Sequence, residues 1–179
     1  MLRSLSMIPF WKLKTWTKNI SFVTFPLKNM YQTFLFIHSW LRWIVLILAF
    51  IVIVKSYIGW IGGGVYKKSD NIMSASFVGI ILLQLFVGVS LYVFLSPTTD
   101  TAFNDFGAAM KDSTLRYWAV EHIFAMMVGT VLAQIGRSKS KKAETYQTKF
   151  KLQAIYYTIA ILLILSRIPF GEAERLFRQ

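Results

Sequence analysis

The sequence contains no cysteine. That single absence removes disulfides, thiolate metal sites, iron–sulfur clusters and the Cys-x-x-Cys-His attachment of c-type haem, so any redox cofactor is held non-covalently, most readily through histidine. Histidine is itself scarce, with only His38 and His122 in the chain. The marks of common enzyme sites are missing too. The glycine run at Gly62, Gly63 and Gly64 has no strand before it and no GK[ST] after it, which excludes a phosphate loop. No nucleophile triad, paired-carboxylate site or zinc spacing is present. Neither an internal repeat nor a low-complexity tract divides the chain, and no linker is long enough to separate two domains.

Acids are few as well: eight Asp and Glu against twenty Lys and Arg, a formal net charge of +12. Nucleic acid is the usual partner of such a balance, but these cations flank hydrophobic spans instead of forming one basic face, so no nucleic acid is expected.

What the chain has in abundance is apolar surface. Hydrophobic residues make up 55% of it, and the mean hydropathy is +0.51, values that call for lipid as the solvent. Four apolar stretches, at 32–54, 75–95, 115–136 and 152–170, each reach the roughly 20 residues of a bilayer crossing. Short polar connections force consecutive helices to run antiparallel. The expected fold is therefore all-α, a membrane up-down-up-down four-helix bundle.

Charge orients it. The segment 137–151 carries Arg137, Lys139, Lys141, Lys142, Lys149 and Lys151 against Glu144, and the segment 55–74 carries Lys55, Lys67 and Lys68; the positive-inside rule makes both loops cytoplasmic. The loop with Asp100, Asp105 and Asp112 against Lys111 then faces outward, and both ends of the bundle are external. Residues 1–29 conflict with this, since Arg3, Lys12, Lys14, Lys18 and Lys28 have no acid among them and resist translocation. Three readings compete: a basic helix on a membrane surface, a targeting leader, or a start of translation at Met30, which agrees best with the other loops. The expected organisation is a basic segment 1–29, a transmembrane domain 30–170 and a polar tail 171–179.

The two histidines fall in the first and third spans, which run in the same direction and are diagonal in such a bundle. Each lies about seven residues, or roughly 10 Å at 1.5 Å per residue, from the external end. Two imidazoles facing each other at one level can supply both axial ligands of a haem iron. Ala125 and Gly129 beside His122, with Gly88 in the second span, leave room for a flat macrocycle. Phe34, Trp118 and Met126 offer apolar walls. Arg42, Arg116 and Arg167 can meet propionates by bidentate contacts. The same residues also suit a cofactor-free network in which Arg42 pairs with Glu121 and the histidines fix helix register, since a charge deep in a bilayer requires a partner. A proton or ion path is the third possibility. Gln84, Tyr156 and Tyr157 read as interhelical hydrogen-bonding groups, and Trp40, Trp43, Trp60 and Trp118 as interfacial anchors or core.

Taken together, M-Y-x-x-F-L-F-I-H-S-W-L-R-W at 30–43, G-A-A-M-K-D-S-T-L-R-Y-W-A-V-E-H at 107–122, I-G-R-S-K-S-K-K at 135–142 and R-I-P-F at 167–170 resemble small bacterial four-helix membrane proteins labelled cytochrome b or cytochrome b-like. The resemblance spans about residues 30–170. It implies a haem b protein of the bacterial cytoplasmic membrane, passing single electrons to or from a quinol or a partner subunit, with His38 and His122 as iron ligands. Such proteins carry a further histidine in the second helix ahead of a Gln-Leu pair. Here Ile81, Leu82, Leu83, Gln84 and Leu85 hold none, so the resemblance extends to one haem and not to two.

Overall fold

The computed structural model describes residues 10–170, with side chains from Asn29 onward. The tail 171–179 and the first nine residues of the basic segment lie outside the described residues. Helix α1 (Phe10–Ile61) passes Met30 without a break, and its segment Asn29–Ile61 is the first of four long apolar helices. Next comes α2 (Lys68–Ser90), continued by a π-helical turn at Leu91–Leu95. Three short helices follow, α3 (Pro97–Asn104), α4 (Phe106–Ala109) and α5 (Ser113–Arg116). A second π-helical turn, Tyr117–Glu121, leads from α5 into α6 (His122–Lys142), and α7 (Tyr146–Leu165) completes the bundle. The segments Asn29–Ile61, Lys68–Leu95, Ser113–Lys142 and Tyr146–Leu165 are long and apolar enough to cross a bilayer, and the chain is a membrane protein.

Helix packing sets the topology. α1 packs on α2 and α7, and α6 packs on the same two helices, so α1 and α6 face each other diagonally. The core between them is apolar: Val45, Ala49, Phe77, Ile81, Ala133 and Tyr157 are all buried. Tyr157 is wholly covered yet satisfied, its hydroxyl 2.5 Å from Ser74 Oγ, as a buried phenol must be. Large side chains such as Phe50, Ile58, Phe86 and Phe94 point outward, as lipid requires of a bundle that is apolar on both sides.

Helix ends differ from the apolar runs because hydropathy finds what lipid solvates, not where the backbone stops bonding. α7 begins at Tyr146, well ahead of residue 152, where Thr145 caps it by accepting from Thr148 N (3.1 Å). It ends at Leu165, four residues short of Pro169. The acidic loop is also more ordered than its composition suggests. Ser96, Asp105 and Asp112 each accept a backbone N–H three residues on, from Thr99 (3.2 Å), Ala108 (2.9 Å) and Leu115 (2.7 Å), and so start α3, α4 and α5. Two of the three acids read for orientation, Asp105 and Asp112, thus also act as caps.

Candidate functional site

His38 projects from the middle of α1, and His122 is the first residue of α6. Their rings meet across the bundle diagonal, with centroids 6.5 Å apart and planes at 65°. The π-helical turn at Tyr117–Glu121 decides the direction of His122. A wide turn holds one residue more than an α-turn, which rotates everything after it by about 100° relative to a continuous α-helix. No apolar periodicity reveals such a turn. Its counterpart at Leu91–Leu95 lies against it: Tyr92 OH donates to Ala119 O at 2.7 Å, joining the two.

Both histidines line a cavity of about 140 Å³, together with Arg42, Gln84, Gly88, Tyr92, Trp118 and Met126. His122 is clamped: its Nδ1 lies 2.9 Å from the Arg167 carbonyl, which also accepts from Tyr117 OH at 2.8 Å. A carbonyl only accepts, so Nδ1 carries the proton and Nε2 keeps its lone pair. His38 sits differently. Gln84 Nε2 approaches its Nε2 (3.3 Å) and its backbone carbonyl (3.0 Å). That leaves His38 Nδ1 and Gln84 Oε1 buried without a hydrogen-bond partner among the described residues.

The expected site residues divide. Gly88 does make room, but for the imidazole: a Cβ there stands 3.0 Å from His38 Cε1. Ala125 and Gly129 do not face the cavity. Both are buried, and a Cβ on Gly129 meets Ile164 Cγ1 at 2.7 Å and the Ala160 carbonyl at 3.1 Å, so Gly129 serves the close approach of α6 to α7. Arg116 is turned aside as well, its Nε 2.9 Å from Glu121 Oε1 and its Nη1 bonded to Met110 O. Arg167 Nε lies 3.7 Å from Glu121 Oε2. Glu121 is thus held by Arg116 and Arg167, where the sequence pattern pairs it with Arg42. Arg42 lines the cavity, its guanidinium 5.6 Å from the Trp43 ring centroid. Trp118 and Met126 form walls as expected, while Phe34 does not line the cavity. Sequence reasoning missed the Gln84 contact to His38 and the Arg167 carbonyl. Only Pro169, just past the end of α7, hinted that a carbonyl there escapes its helix.

Fold and site together define a helical membrane protein with a buried histidine pair beside a cavity. No family model, curated protein or solved structure matches the chain.

Proposed function

We propose that this chain is a cytochrome b-like membrane protein that binds one haem b, whose iron His38 and His122 would hold, and takes part in electron transfer. The observation that carries the reading is the 6.5 Å separation of the two rings across the diagonal, beside a cavity. Two imidazoles are the donors that a macrocycle with four nitrogens of its own would require from the chain.

Haem supplies one-electron chemistry when bound, the iron alternating between ferric and ferrous. The chain's residues supply the rest. The Arg167 carbonyl and Tyr117 hold the His122 tautomer, Gly88 seats His38, and Arg42, which lines the cavity, would meet a propionate. Electrons pass singly to or from a quinol or a partner subunit. The membrane is the bacterial cytoplasmic one, with loops 55–74 and 137–151 inside. A second reading is favoured by the Gln84 contact to His38: a cofactor-free accessory subunit whose polar groups fix helix register.

Reduced-minus-oxidised absorption of protein expressed with added haem separates the two. Soret and alpha bands are expected, and His38→Ala or His122→Ala abolishes their low-spin character. A folded protein without bands refutes the haem reading, and bands unchanged in the variants refute the ligand assignment.

A further inference from the structure

At the basic end of the bundle α1 runs out at Ile61, α7 starts at Tyr146, and the two helices pack side by side. Trp60 stands at the mouth of their seam. Its carbonyl accepts from Gln147 Nε2 (3.2 Å), its ring lies 6.0 Å from that of Tyr57, and the Lys151 ammonium is 5.5 Å from its centroid. One level deeper, Thr158 Oγ1 donates to Tyr57 OH at 3.3 Å and closes the seam.

Helical spacing leads from Lys151 along α7 to Ile155, Ile159 and Leu162, and from Trp60 back along α1 to Tyr57, Ile53 and Phe50. Several of these are open to lipid: Phe50 is 69% exposed, Leu162 61% and Ile159 50%. An apolar track therefore ends at an indole and an ammonium group. The indole matters for more than anchoring. Holding the Lys151 head over its face limits the freedom that lysine loses on capturing an anion.

The charge at this end of the bundle is mostly positive. Lys149 lies 5.8 Å from the Tyr66 ring centroid, and Lys139 Nζ donates to Tyr156 OH at 2.9 Å. Among the described residues none of Lys139, Lys149 and Lys151 forms an ion pair, and the only acid between residues 137 and 151 is Glu144. Cations without carboxylate partners above an apolar track complement an amphiphile with an anionic head.

We propose that the α1–α7 seam binds an anionic phospholipid, with its phosphodiester at Lys151 beside Trp60 and its acyl chains along Ile155, Ile159 and Phe50. This site is independent of the histidine cavity and of whether haem is bound there.

Native mass spectrometry of the full chain in detergent tests it, by titration with phosphatidylglycerol and with phosphatidylcholine of the same acyl chains. The wild-type protein is expected to retain phosphatidylglycerol in preference. Lys151→Gln weakens that binding about five-fold, the worth of one lysine near an anionic headgroup, and leaves phosphatidylcholine unchanged; Lys151→Arg keeps the preference. Lys67→Gln, on the same end but off the seam, is without effect. Equal binding of the two lipids by the wild-type protein overturns the proposal. So does unaltered phosphatidylglycerol binding in Lys151→Gln, or an equal loss in Lys67→Gln, which marks diffuse attraction in place of a site.

Discussion

Arg167 gives its backbone carbonyl, not its side chain, to His122, whose Nδ1 lies 2.9 Å away. The contact exists because α7 stops at Leu165, ahead of Pro169, and leaves the Arg167 carbonyl beyond the helix. A helix terminus on one element thereby fixes the proton position on another.

The tautomer of His122 is directly measurable. With two histidines in the chain, nitrogen-15 NMR of histidine-labelled protein in the absence of haem gives two imidazole sets, assigned with His122→Ala. The His122 set is expected to show a protonated Nδ1 and a bare Nε2. The opposite tautomer contradicts the clamp.

Gly88 is predicted to be the residue on which seating of His38 depends. Because a Cβ at this position stands 3.0 Å from the His38 ring, Gly88→Val displaces the imidazole at a cost of about 1–3 kcal/mol. The haem-to-protein ratio should fall sharply while far-UV circular dichroism stays helical. An undiminished ratio removes Gly88 from the site.

Gly129→Ala should behave in the opposite way. Its Cβ meets Ile164 at 2.7 Å and the Ala160 carbonyl at 3.1 Å, so overpacking between α6 and α7 costs about 1–3 kcal/mol. Thermal unfolding in detergent reads the loss, and the folded fraction keeps its haem ratio. Lost haem at unchanged stability would return Gly129 to the cavity.

The absence of cysteine makes sidedness simple to read. Glu144→Cys and Thr101→Cys each place one thiol on an exposed position at opposite ends of the bundle. In intact cells a membrane-impermeant maleimide is expected to label Thr101→Cys at once and Glu144→Cys only after lysis. The reverse pattern inverts the orientation.

Alkaline stability is predicted to depend on Tyr66. Burial raises its phenol above the usual value, against the hydrogen bonds from Gln153 and Ser140 and the charge of Arg137, which lower it. The folded state therefore keeps a proton that the unfolded chain has lost, unfolding releases it, and stability falls as pH rises past about 10. Thermal midpoints from about pH 9 to 11 should decline less steeply in Tyr66→Phe. Equal slopes refute the assignment.

Much of the bundle was legible in the chain because a bilayer imposes a length and a solvent on every span. Four apolar stretches and short connections were enough to define an antiparallel all-α bundle, and the common level of His38 and His122 followed from counting residues. The caps at Ser96, Asp105 and Asp112 were visible only as acid and hydroxyl content, since capping depends on local backbone geometry. The small residues divided for a similar reason: Gly88, Ala125 and Gly129 look alike in sequence, but the face each presents depends on helix rotation.

The sequence by itself thus determined the fold class, the four spans and the helices that carry the histidines, because hydropathy and helical rise act residue by residue. Tertiary structure alone decided which way those histidines point and what holds them. Two π-helical turns rotate the helices out of simple register, the end of α7 frees the Arg167 carbonyl, and Glu121 finds Arg116 and Arg167. Each of these depends on groups distant in the chain meeting at one place, which no local pattern encodes.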